Sequence, residues 1–179
     1  MNKFVTTLFL VVLTGNVWAT AQRGDILVYE GENHKIFSNP LELYFDAQHP
    51  KPSMLKYSCS SIWRGYVATW KIEEEYLYLI KLVEGSCGED APEIPITAIF
   101  PKQQLPIKAT WFSGILRVPL GEILHYVHMG YASIYEKDVY LAIEDGKLVS
   151  KKLVDNSSQK NKPPIPPKIK WRPMFDDPK

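Results

Sequence analysis

The chain has 179 residues, of which 21 are basic and 20 acidic, for a net charge of +1. The charge is divided rather than mixed: residues 22–150 carry 12 basic against 17 acidic side chains, net −5, and residues 151–179 carry 8 against 3, net +5. After residue 21 no run reaches the ~18 apolar residues of a membrane-crossing helix, which excludes a second spanning helix, and the 158 residues from Gln22 to Lys179 suit one domain with a sizeable core.

At the start of the chain, Lys3 precedes an apolar run from Phe4 to Leu13, and Ala19 and Ala21 flank Thr20 in a small-x-small cleavage pattern. This order predicts a secretory signal peptide over residues 1–21. The apolar run is too short to anchor comfortably in a bilayer, and no cysteine stands at the cleavage site to take a lipid. The expected location is therefore periplasmic or secreted. Export argues against a nucleic-acid partner and against nucleotide-driven chemistry.

Asp25–Tyr29 reads as a strand, Glu30–Asn33 as a turn, and His34–Phe37 as a returning strand. Ser38 or Asn39 can cap a short helix over Leu41–Ala47 with Pro40 in its first turn. The sequence His49-Pro50-Lys51-Pro52 ends it. Ile62–Ile72 and Tyr76–Val83 read as strands around the polar turn Glu73-Glu74-Glu75. Ile94–Phe100 reads as an edge strand limited by Pro95 and Pro101. Ile107–Phe112 and Ile115–Val118 flank Ser113-Gly114 as a predicted hairpin. Pro119-Leu120-Gly121 is expected to redirect the chain, and Glu122–His128 fits either a strand or a short helix. Val139–Glu144 and Lys147–Val154 flank Asp145-Gly146, the clearest hairpin signal. Six of the fourteen prolines fall between Pro163 and Pro178, so residues 155–179 are expected to form a basic, proline-rich tail, extended or disordered. Within it Pro163-Pro164-Ile165-Pro166-Pro167-Lys168 has polyproline character and reads as a spacer. The predicted fold is mainly β: an antiparallel sandwich or partly closed barrel over residues 22–154, with one or two short helices.

Only two cysteines are present, Cys59 and Cys87. In an oxidising compartment an isolated, widely spaced pair predicts a structural disulfide. Two cysteines fall short of the four ligands of a structural zinc site.

The densest aromatic run is Trp63-Arg64-Gly65-Tyr66-Val67-Ala68-Thr69-Trp70. On a strand, Arg64, Tyr66, Ala68 and Trp70 share one face, with Trp63, Gly65 and Val67 on the other. Trp111 and Arg117 stand around Gly114 in a similar way. Such sets can stack a sugar ring or planar ligand while arginine holds a carboxylate or phosphate. The candidate binding residues are thus Trp63, Arg64, Tyr66, Trp70, Trp111 and Arg117. The competing expectation is that the tryptophans fill a β core, with the arginines on the surface or paired to acidic side chains. Glu122, His125 and His128 would share a broad helical face and suggest a weak metal site, an idea that collapses on a strand. No Gly-x-Ser-x-Gly elbow or phosphate-binding glycine loop occurs. No catalytic residue, metal ligand or cofactor is assigned.

Trp63-Arg64-Gly65-Tyr66 with Trp70, the run Trp111–Gly114 with Leu116-Arg117-Val118-Pro119, and Tyr126–Tyr131 with Ser133–Glu136 resemble a family of small uncharacterised bacterial proteins over about Asp25–Val149. The resemblance implies no activity. Three functions are therefore expected to compete: a non-enzymatic binding or interaction protein with a protein or glycan partner in the cell envelope; a periplasmic inhibitor or immunity-type protein; and a cell-wall or sugar-active enzyme using paired carboxylates.

Overall fold

A computed structural model describes residues 21–56, 59–88 and 90–159. The predicted signal peptide, save Ala21, and residues 160–179 of the predicted tail lie outside the described residues. Eight strands form one sheet: β1 (Asp25–Tyr29), β2 (Glu32–Ile36), β3 (Tyr66–Glu73), β4 (Tyr76–Glu84), β5 (Ile107–Lys108), β6 (Gly114–His125), β7 (Ile134–Glu144) and β8 (Lys147–Asp155). Their order is β2-β1-β3-β4-β8-β7-β6, with β5 added to β4. Every pairing is antiparallel except β1 against β3.

Three hairpins come from local turn chemistry. Glu30-Gly31, Glu74-Glu75 and Asp145-Gly146 all take positive φ, the geometry that matches the right-handed twist of flanking strands. The rest of the sheet depends on contacts distant in sequence. Strands β4 and β8 share one residue pair, Tyr76 with Lys147, reinforced where Leu148 N donates to Glu75 O at 2.7 Å and Leu77 N to Gly146 O at 2.8 Å. At the opposite end, Phe37 N donates to Arg117 O at 2.8 Å just beyond β2. Ser38 Oγ donates to Ile115 O at 2.8 Å and accepts from Arg117 N at 3.2 Å. The sheet therefore curls until its two end strands touch, without a closing ladder. Leu27, Trp70, Leu77, Leu79, Leu116 and Leu141 fill the interior and are fully buried. Among the described residues β8 meets β4 only at Lys147, so Val149–Asp155 has no strand on its outer edge.

Several sequence expectations shift. The predicted helix over Leu41–Ala47 is a 3-10 turn over Pro40–Tyr44 without a side-chain cap; the Asn39 amide oxygen instead accepts from Tyr131 Oη at 2.8 Å. The strand expected from Ile62 begins at Tyr66. Ile94–Phe100 is not a strand: Glu93 makes one isolated bridge to Val83, and Ile96–Ala98 is a 3-10 turn. Pro95 cannot donate to a ladder, which agrees with this. The predicted Ser113-Gly114 hairpin does not form. Strand β5 pairs with β4, Phe112 N bonds back to Ala109 O at 3.0 Å, and β6 pairs with β7. Nor does Pro119-Leu120-Gly121 turn the chain. β6 runs on to His125 with a register shift between Leu120 and Ile123. Gly121 has φ +77° at that bulge, and a Cβ there would collide with the Glu136 side chain. At the other end, β8 extends to Asp155, Asn156 is buried, and Ser157–Gln159 forms a 3-10 turn, so the first residues expected in the tail belong to the fold.

The expected disulfide between Cys59 and Cys87 is present, with Cα atoms 5.4 Å apart. Cys59, Ile62 and Val67 form a small buried cluster beside it, separate from the main core.

Candidate functional site

Four predicted binding residues converge inside the fold. Asp25 opens β1 on the same buried face as Leu27. Its Oδ1 accepts from Arg64 Nη2 at 2.7 Å and from Ala68 N at 3.1 Å, and its Oδ2 accepts from Trp70 Nε1 at 3.0 Å. Alternation along β3 brings Tyr66, Ala68 and Trp70 to this side. Arg64 arrives from the preceding turn, where Gly65 takes φ +81°. A Cβ on Gly65 would stand 2.6 Å from Lys56 O, so the close approach of two backbone segments requires glycine. Arg64, Tyr66, Trp70 and Asp25 are all 0% exposed.

Burial pushes the Asp25 carboxyl up from its ordinary value near 3.8, opposed by the Arg64 charge and by the Trp70 and Ala68 hydrogen bonds. Every group bonded to it is a donor, an arrangement that suits the ionised carboxylate. Burial also works against the Arg64 charge, but Asp25 holds its pKa up. Among the described residues Arg64 Nε has no hydrogen-bond partner, and the Tyr66 hydroxyl has only the nearby Glu42 carboxylate, without good hydrogen-bond geometry. Burial raises the Tyr66 hydroxyl well above its ordinary value of 10.0, and the charges of Asp25 and Glu42 add to that.

Arg117, on β6, builds a second network. Its Nε donates to Asp138 Oδ1 at 2.8 Å and its Nη2 to Asp138 Oδ2 at 3.2 Å, a two-pronged pair. Nη1 also donates to Tyr131 O at 2.7 Å, and Nη2 to Ser133 O at 2.9 Å. Asn156 Nδ2 completes the Asp138 carboxylate at 2.9 Å. Tyr131 links the two networks: its carbonyl serves Arg117, and its hydroxyl accepts from Arg64 Nη1 at 3.1 Å. Asp25, Asp138 and Tyr131 were not singled out from the sequence. The available signal was the odd placement of Asp25 and Asp138 at alternate positions with Leu27 and Tyr140 in apolar strands.

The other two candidates lie elsewhere. Trp63 is 52% exposed. Lys51 Nζ stands 6.0 Å from its ring, 5.6 Å from the Phe45 ring and 5.4 Å from the Tyr66 ring, while pairing with Glu42 at 2.8 Å. Trp111 is half-buried; its Nε1 donates to Pro40 O at 3.1 Å, and its ring backs Tyr44 at 5.0 Å and Phe100 at 5.3 Å. In front of that aromatic set, Tyr44, Phe45, His49, Pro50, Pro52 and Pro101 help line an open cleft of about 280 Å³.

Glu122 and His125 lie on β6, and His128 lies in the following loop with its ring edge-on to Tyr126 at 4.5 Å. Among the described residues no three histidine, cysteine, aspartate or glutamate side chains gather as a metal-binding set. No helix of the described residues is long and apolar enough to cross a membrane.

No protein-family model, curated protein or solved structure matches the chain. The mainly β fold and the disulfide are compatible with an exported protein.

Proposed function

We propose that this is an exported, non-enzymatic binding protein that offers the loop face around residues 40–56 and Trp63 to a protein or glycan partner in the cell envelope. The observation that carries this is the exposed Trp63 indole, joined through Lys51 to Phe45 at the rim of the aromatic and proline cleft. Large exposed aromatics beside a concave apolar surface are the usual anchors of recognition. The signal-peptide pattern and the disulfide support export. Asp25 and Asp138 are each held by an arginine; this favours a framework role for the two buried carboxylates over a catalytic pair. Within the interaction class, the −5 charge of residues 22–150 suits a basic partner, as for an inhibitor of a basic toxin or lytic enzyme.

The test is co-purification from envelope extract with the native chain and with Trp63→Ala and Tyr44→Ala variants. A species retained by the native chain and lost from both variants is expected. Equal retention by all three would remove this face from the function. Export is checked separately by cell fractionation, with thiol labelling of the unreduced, denatured protein; two reactive cysteines would exclude an oxidising location.

A further inference from the structure

A second concavity, sharing no lining residue with the cleft at Tyr44, opens beside Tyr131. Its volume is about 110 Å³ with Ala21 still in its lining, a residue that cleavage after position 21 would remove, opening the pocket further on that side. An enclosed apolar cavity of roughly 150 Å³ admits benzene, so this open pocket takes one six-membered ring with part of the ligand outside. Its walls are aromatic. Phe37 and Tyr131 stack with centroids 4.9 Å apart and planes 6° apart, and Tyr135 meets Phe37 edge-on at 5.6 Å.

These walls are held rigidly. Tyr131 is fixed at its hydroxyl by Arg64 and Asn39 and at its carbonyl by Arg117, whose guanidinium also lies 5.5 Å from the Phe37 ring. The two buried networks thus meet at the floor of the pocket, and a ligand would find it already formed. Positive charge stands around it. Arg23 and Lys35 line the pocket and are exposed. Neither side chain has an ion-paired acidic partner among the described residues, as is also true of Lys56, Lys102, Lys108, Lys137 and Lys152. Ser133 also lines it, with its hydroxyl held by the Val127 backbone, accepting from Val127 N at 3.1 Å and donating to Val127 O at 3.4 Å.

We propose that this pocket binds a small ring-shaped carboxylate, with the ring against the Phe37–Tyr131 walls and the carboxylate between Arg23 and Lys35. An aromatic wall accepts either an arene or the apolar face of a pyranose, so an aromatic acid and a sugar acid present the same chemistry here. Two cations without internal partners match one carboxylate, and the volume leaves room for one ring.

The experiment is titration of the disulfide-bonded protein, followed by amide NMR shifts, with four probes: glucuronate, benzoate, glucose and inorganic phosphate. Saturable shifts at Lys35, Phe37, Tyr131 and Ser133 are expected for at least one of the two acids, with a Kd of about 1 mM for a ligand this small. Saturation by glucuronate alone assigns a sugar acid, and saturation by benzoate alone assigns an aromatic acid. Glucose lacks the charge and phosphate lacks the ring, so each should bind at least about tenfold more weakly. The double variant Arg23→Gln/Lys35→Gln changes only exposed side chains and should weaken the acid about tenfold or more. No saturable shift with either acid, equal binding of glucose or phosphate, or an unchanged Kd in the double variant would overturn the proposal.

Discussion

The fold contains two arginine–aspartate pairs, and they solve the problem of buried charge differently. Arg117 uses each nitrogen of its guanidinium, two on Asp138 and the remaining capacity on the carbonyls of Tyr131 and Ser133. Its side chain keeps 11% of its surface in water. Arg64 and Asp25 are fully sealed, yet among the described residues Arg64 Nε has no partner. The contrast teaches that depth and saturation are separate quantities. The deeper pair loses more solvation and recovers less of it in hydrogen bonds.

Asp25→Asn offers the hardest test of that difference. It sets an amide N–H against donors that the carboxylate accepts from and should cost about 3–5 kcal/mol in urea unfolding. A cost under about 1 kcal/mol would mean that water takes over those donors. Arg117→Gln should cost less, about 2–3 kcal/mol, because Asn156 still serves Asp138 and solvent is nearer. Equal losses would erase the distinction between the pairs. Tyr131→Phe removes the hydroxyl partner of Arg64 and should cost about 1–2 kcal/mol while leaving the carbonyl contact to Arg117 intact. Tyr66→Phe runs the other way. Deleting a buried hydroxyl without a well-made bond should stabilise by about 1 kcal/mol, and any loss of stability would show that it donates to Glu42.

The pH response sharpens the same comparison. Burial raises the Asp25 pKa in the folded chain, so the folded state keeps this proton to a higher pH than the unfolded state does. The stability contributed by that titration is complete below about 3.8 and is lost as pH rises through the folded pKa. The stability gap between the native chain and Asp25→Asn should therefore widen on acidification from neutral pH. A gap that narrows instead would reverse the sign of the burial effect.

What the sequence made legible was local. Asp25–Tyr29, the turn at Glu73-Glu74-Glu75 and the Asp145-Gly146 hairpin are specified by alternation and turn residues a few positions apart. The shared face of Arg64, Tyr66, Ala68 and Trp70 was legible too, although Arg64 reaches it from a turn. The parallel pairing of β1 with β3 was not, because it joins residues about 43 positions apart, as Ile26 and Thr69, with no turn signal between them. Ile107–Phe112 has the residues of a hairpin strand, but tertiary pairing to β4 took only Ile107 and Lys108. The partners of both arginines were hidden for the same reason. Asp25 lies 39 residues from Arg64 and Asp138 lies 21 from Arg117, and no spacing rule links such positions.

The outer edge of β8, which carries no strand beyond Lys147 among the described residues, bears on how the protein behaves in a crowd. A bare strand edge is a template for another chain, and Val149 and Leu153 stand exposed along it, at 48% and 57%. Lys147, Lys151 and Lys152 stand there too. The bulge at Val149, between the pairs Leu148–Ile143 and Ser150–Ala142, would spoil a continuous ladder between two copies, and the β1–β2 turn already reaches this strand where Lys151 pairs with Glu30. The edge therefore favours staying single at high concentration, which keeps the surface at Trp63 and the pocket at Tyr131 available to other molecules.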